Sequence, residues 1–177
     1  MIKANNPELK SWLEVAEDSD FPIQNIPFGI VSPKSTNDGR VATRIGDFVI
    51  DLSQLGELGY FNDLGIDISV FYEDKLNGFI ELGKETTRAV RDKISDLFKQ
   101  GNSEISEEDK SKIILSINDI DNLLPVQIGD YTDFYSSEQH AYNVGCMFRD
   151  PNNALLPNWK HIPVGCLLYT SPSPRDA

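Results

Sequence analysis

A carboxylate, a phenol, an imidazole and a guanidinium stand close together at Asp133, Tyr135, His140 and Arg149. Such a set can supply a metal ligand, a substrate hydrogen bond, a base and a clamp for a carboxylate. The chain has only two histidines, His140 and His161, so imidazole acid–base chemistry must use one of them. His140 has the richer setting. It follows Ser136-Ser137-Glu138-Gln139, where Ser136 and Gln139 have the spacing of a capping box, which places the imidazole in the first turn of a helix. Arg149 then falls about two and a half turns further on if the helix runs that far. His161, between Lys160 and Ile162-Pro163, reads as a loop residue.

Each residue also has a purely structural reading. A lone histidine near a helix start is more often structural than catalytic. Asp133 serves equally as a turn residue or cap, Tyr135 as a half-buried aromatic, and Arg149 as a helix C-terminal cation favoured by the macrodipole. Cys146, among Val144, Met147 and Phe148, reads as a packed small hydrophobe. No Cys-x-x-Cys, clustered histidine, dinucleotide fingerprint or phosphate loop occurs, so zinc and nucleotide chemistry are not indicated.

Composition narrows the partners. The chain has 28 acidic and 16 basic residues among 177, a formal charge of -12. That sign opposes binding to a phosphate backbone or an anionic membrane surface, so neither nucleic acid nor membrane is an expected partner. Aliphatic runs such as Ile113-Ile114-Leu115 fall far short of the roughly 18 residues of a membrane span. No basic segment followed by an apolar stretch opens the sequence, and a cytoplasmic location is expected. Two cysteines are too few to staple a fold of this size.

The elements that would position the site are of mixed type. Phe28-Gly29-Ile30-Val31 predicts a strand stopping at Ser32-Pro33, followed by a polar loop over Lys34 to Gly39. Val41 to Ile45 and Phe48 to Leu52 flank Gly46-Asp47, a two-residue hairpin signal, and could seed a small barrel or packed sheet. Gly83 to Gln100 predicts a helix with Val90, Ile94, Leu97 and Phe98 on one face and Gly101 as its cap. The acidic stretch from Gly101 to Lys112 reads as a linker or the solvated start of a helix, and a domain boundary is expected near residues 101 to 124. Beyond Pro125 aromatic, small and polar residues interleave without a clean period, a texture typical of a site-bearing segment.

Longer strings carry a resemblance. Val15-Ala16-Glu17-Asp18-Ser19-Asp20-Phe21-Pro22-Ile23, Asn25-Ile26-Pro27-Phe28-Gly29, Ile128-Gly129-Asp130-Tyr131-Thr132-Asp133-Phe134-Tyr135-Ser136-Ser137, Gln139-His140-Ala141 and Met147-Phe148-Arg149-Asp150 resemble segments of the fumarylacetoacetase family. Asn153 to Trp159 and His161 to Gly165 continue the likeness, which spans about residues 12 to 165 and is weak through 53 to 124. It implies a β-rich α+β chain. Residues 1–124 would form an N-terminal SH3-like small barrel with helices and a linker from about 101. Residues 125–165 would be the truncated start of a β-roll catalytic domain. The family hydrolyses the carbon–carbon bond of fumarylacetoacetate to fumarate and acetoacetate in tyrosine and phenylalanine breakdown, as a homodimer using Ca²⁺ and Mg²⁺. By motif the resemblance makes Asp133 a metal ligand, Tyr135 and Arg149 substrate-binding residues and His140 the catalytic base. An imidazole with an unperturbed pKa of ~6.5 suits deprotonation of water near neutral pH.

The pattern breaks after Gly165. Cys166-Leu167-Leu168-Tyr169-Thr170-Ser171-Pro172-Ser173-Pro174-Arg175-Asp176 looks like the in-frame translation of a transposon-type sequencing adapter. Residues 166–177 are therefore expected to be adapter read-through. No Glu-x-Glu occurs in the chain, and one carboxylate cannot supply the six to eight oxygens Ca²⁺ takes. A fragment inactive alone is expected. The alternatives are a non-catalytic folding or dimerisation module, or another diketo-acid hydrolase of the same superfamily.

Overall fold

The computed structural model describes residues 3–130, 132–134, 137–160 and 165–167, with the backbone alone at 132–134, 158 and 165–167. The chain divides into two compact units between Gln127 and Ile128.

In the first unit β1 (Phe28–Pro33) pairs antiparallel with β2 (Arg40–Ile45), which pairs with β3 (Phe48–Asp51). The β2–β3 turn is the expected Gly46-Asp47, with Gly46 at φ +58°, a conformation glycine adopts without a Cβ penalty. Asp51 ends β3 and starts α1 (Leu52–Glu57), its carboxylate accepting from the backbone of Ser53 and Gln54. That buried carboxylate is also held by Arg40 at 3.1 Å. α2 (Asn77–Glu81), α3 (Gly83–Phe98) and α4 (Glu107–Ile113) follow, then β4 (Ile114–Ser116) and β5 (Ile120–Leu123). The sheet order is β4-β3-β2-β1-β5, a curled, antiparallel half-barrel whose edges are β4 and β5. The expected α+β class with a barrel-like sheet is what the first unit shows.

Alternation along the strands gives the sheet two apolar faces. Ile30, Val41, Ile45 and Ile50 face the main core beneath the helices, with Phe61, Phe71, Phe79, Phe98 and Ile94. Phe28, Phe79, Phe71 and Phe61 form a chain of ring contacts with centroids 4.8 to 5.4 Å apart. Each fully buried ring is worth roughly 1.5–3 kcal/mol over exposure. The opposite face holds a smaller cluster of Val31, Ala42, Val49 and Ile120.

Two details differ from the sequence reading, and a third settles an alternative that it left open. β1 runs through Pro33, which pairs with Ile120 although it cannot donate. The helix over 83–98 is present and buries Val90, Ile94, Leu97 and Phe98, but Gly101 is not its cap. Lys99 leaves the helix in an extended conformation because it bridges to Ser11, and Gln100 donates to the Lys10 carbonyl. Gly101 instead takes φ +87° in the turn closed by Asn102 N–H to Lys99 O. The acidic stretch is a helix start rather than a linker: Ser106 caps α4, and Glu107, Glu108 and Asp109 occupy its first turn, where anions suit the dipole. Residues up to 127 belong to the first unit, with Ile105, Ile113 and Ile120 buried.

The N-terminal segment is strapped onto α3. Trp12 stacks on Phe98 at 5.2 Å and donates its indole N–H to the Leu97 carbonyl at 3.0 Å. Gln24 ties the strap to itself through its amide nitrogen, bonded to the carbonyls of Asn6 and Leu9.

In the second unit β6 (Thr132–Phe134) pairs antiparallel with β7 (Gly165–Leu167), and α5 (Glu138–Phe148) lies between them in sequence. Single turns of tighter helix follow at Pro151–Asn153 and Pro157–Lys160. Tyr135, Ser136, His161 and residues 168–177 lie outside the described residues. No described helix is long and apolar enough to cross a membrane.

Candidate functional site

α5 positions the candidate base. Its N-cap is Ser137, one residue after the serine of the predicted capping box. Ser137 Oγ accepts the backbone N–H of His140 at 3.2 Å, satisfying an orphan donor of the first turn. His140 is thus in the first turn, as its spacing predicts, and its side chain is half-buried.

The helix is held by its small residues. Ala141 and Gly145, one turn apart, are the buried positions of α5. A Cβ built on Gly145 would collide with the carbonyl of Ala154, itself buried, so the chain after the helix folds back against glycine and no larger residue fits. Asp150 stabilises that return by accepting the Asn152 N–H at 2.8 Å. At the other end Lys160 pairs with Glu138 at 3.0 Å.

Arg149 lies at the opposite end of α5 from His140, about 13 Å along the axis by the ~1.5 Å rise per residue. Its backbone N–H closes the helix on Gly145 O, and its guanidinium Nη1 donates to Ala154 O at 3.3 Å. Among the described residues it therefore holds the return turn. Asp133 is the central residue of β6, with Cys166 as its cross-strand partner, and its side chain is not among those described. The structure describes His140 and Arg149 as side chains on one element and does not bring them side by side.

Two contacts had no counterpart in the sequence reading. Cys146 is half-buried one turn after Tyr142, and the neighbouring thiol raises the Tyr142 phenol above its ordinary pKa of 10.0. The i, i+4 spacing was the available signal. The close approach of Gly145 to Ala154 had none beyond the glycine itself. Met147 and Phe148 are 76% and 80% exposed, large apolar surfaces with nothing over them among the described residues.

Among the described residues no three His, Cys, Asp or Glu side chains gather to hold a metal ion. Ca²⁺ takes six to eight oxygens, and this donor set does not supply them.

The model of the fumarylacetoacetase N-terminal family matches residues 24–125. The chain belongs to that family. It is 49% identical over 159 residues to the fumarylacetoacetase of Dictyostelium discoideum, covering 89% of this chain and 37% of that protein. The fumarylacetoacetases of Mus musculus and Emericella nidulans are 43% and 40% identical over 157 and 168 residues, each match covering 88% of this chain and 38% of the relative. The chain thus spans well under half the length of these relatives. A match of 157 residues or more is longer than the first unit, so the likeness to fumarylacetoacetases extends into the second unit with α5.

Proposed function

We propose that this chain is the N-terminal part of a fumarylacetoacetase and that its second unit contributes His140, Asp133, Tyr135 and Arg149 to hydrolysis of fumarylacetoacetate. The observation that carries this reading is the 49% identity to a fumarylacetoacetase over a length that includes α5. His140 is the base: its imidazole takes a proton from water, and the hydroxide adds to the ketone carbon of the fumaroyl group. The carbon–carbon bond then breaks, fumarate is released, and the electron pair leaves as the acetoacetate enolate, which is reprotonated at carbon. The placement of His140 supports this role, because Ser137 fixes the backbone from which the imidazole projects. Tyr135 and Arg149 bind substrate, the guanidinium suiting a carboxylate. In that role Arg149 gives up its bond to Ala154 or shares it.

Calcium and magnesium, homodimerisation and a cytoplasmic location belong to the same proposal. Asp133 would be one oxygen donor to such a cation, the others coming from residues this chain does not hold. By itself the chain is a folding module without turnover.

The test joins residues 1–165 to the remaining length of the Dictyostelium discoideum relative. The hybrid is expected to hydrolyse fumarylacetoacetate, and His140→Ala to lower kcat by about 10²- to 10⁴-fold with circular dichroism and dimer mass unchanged. Retained turnover in His140→Ala removes the base assignment. A folded hybrid that cleaves a different diketo acid instead would reassign the substrate.

A further inference from the structure

We propose that the outward face of the five-stranded sheet carries a binding cleft for a small aliphatic carboxylate, built entirely from the first unit and independent of the catalytic reading. Strand register places the parts. Gly29 lies opposite Ala42, Ala42 opposite Asp51, Arg44 opposite Val49, and Val31 opposite Asn122, so these side chains share the face that does not meet the main core. Val31, Ala42 and Val49 form its apolar floor with Ile120.

A cleft of about 160 Å³ opens there, walled also by Pro27, Phe28 and Ile117. At the ~30 Å³ a water occupies in the liquid, that is room for about five small heavy atoms. Its floor is deepened by Gly29, where a Cβ would meet nothing within 4 Å, so the absent side chain leaves the space open.

Arg44 gives the cleft its charge. Its guanidinium lies over the Phe21 ring at 3.9 Å, Nε donates to Gly46 O at 2.7 Å, and Nη2 pairs with Asp47 at 3.1 Å. These contacts fix the group, and Nη1 has no partner among the described residues. The Asn122 carboxamide, also lining the cleft, likewise makes no hydrogen bond among the described residues. An apolar pocket with a few fixed polar groups at its rim is the general form of a small-molecule site. The chemistry that fits is a short alkyl chain against Val31, Ala42 and Val49, its carboxylate on Arg44. The chain's charge of -12 opposes anions at long range, so affinity is millimolar and local.

Amide chemical-shift titration of the full chain with butyrate, butan-1-ol and butylamine at constant ionic strength tests this. Butyrate is expected to give saturable shifts at Gly29, Val31, Ala42 and Arg44, with butanol weaker by about tenfold and butylamine silent. Gly29→Val should fill the floor and abolish the response. Should that variant not fold, Arg44→Gln decides: it should reduce butyrate to the butanol level, whereas Asp47→Ala should strengthen it by freeing Nη2. Equal responses to butyrate and butanol, no saturation, or an undiminished response in folded Gly29→Val or Arg44→Gln would overturn the proposal.

Discussion

Ser137 Oγ accepts the backbone N–H of His140 at 3.2 Å, so the candidate base is anchored through its main chain by the cap of its own helix. Ser137→Ala removes that acceptor at a cost of about 0.5–2 kcal/mol. Hydrogen exchange at residues 138–141 should accelerate correspondingly, and Ser137→Asp should restore protection. Equal exchange in Ser137→Ala and the parent chain would show that the cap does not hold the helix start.

Gly145 and Ala154 make the tightest demand in the second unit. Gly145→Ala is expected to displace the return turn or destabilise the unit by about 1–3 kcal/mol, the usual cost of overpacking. The readout is loss of amide protection at Arg149 and Asn153, whose N–H groups bond to Gly145 O and Asp150 O. Unchanged protection would contradict the close approach.

Phe98 is fully buried beneath Trp12. Phe98→Ala should cost about 3–5 kcal/mol and shift the Trp12 emission to the red as the strap loosens. Trp12→Phe, keeping the stacking but losing the bond to Leu97 O, should cost about 1 kcal/mol. A larger loss from Trp12→Phe than from Phe98→Ala would mean that the hydrogen bond, and not the ring contact, fastens the strap.

Two carboxylates give the first unit an acid limb. The Ser69 N–H bond, then the Ser69 side chain, hold Asp67 below its usual 3.8, and hydrogen bonds from Ser106 and Tyr60 do the same for Asp109. A folded-state pKa below the unfolded one means that the ionised form is favoured by folding. The contribution is therefore complete above pH 3.8 and disappears as pH falls through the lower folded values. Denaturation midpoints measured from pH 7 downward should fall on this limb, and more shallowly in Asp67→Asn combined with Asp109→Asn. An identical acid limb in the double variant would place the acid sensitivity elsewhere.

Tyr60 supplies the opposite limb. Burial, then its bond to Asp109, raises the phenol above 10.0, so its neutral form is favoured by folding. Its contribution is complete below pH 10 and is lost as pH rises through the folded value. Tyr60→Phe should flatten stability above pH 10, and a limb unchanged by the substitution would exclude this residue as its source.

What the sequence determined by itself was local. The Gly46-Asp47 hairpin, the apolar face of α3 and the placement of His140 in a first turn follow from backbone preferences and periodicities acting over a few residues. The family resemblance was legible for the same reason, since it rests on contiguous strings such as Asp18 to Ile23 and Gln139 to Ala141. The decisions left to tertiary structure all involve residues far apart in the chain. α3 ends where Ser11 bridges to Lys99, and β5 joins the sheet through Leu123 opposite Ile30. Gly145 is required because Ala154 returns to it, and Arg44 lines a cleft because register sets it beside Val49 on the same face as Gly29. No local propensity encodes such pairings: each is selected when loop closure is repaid by burying apolar surface and satisfying backbone groups that only the folded chain brings together.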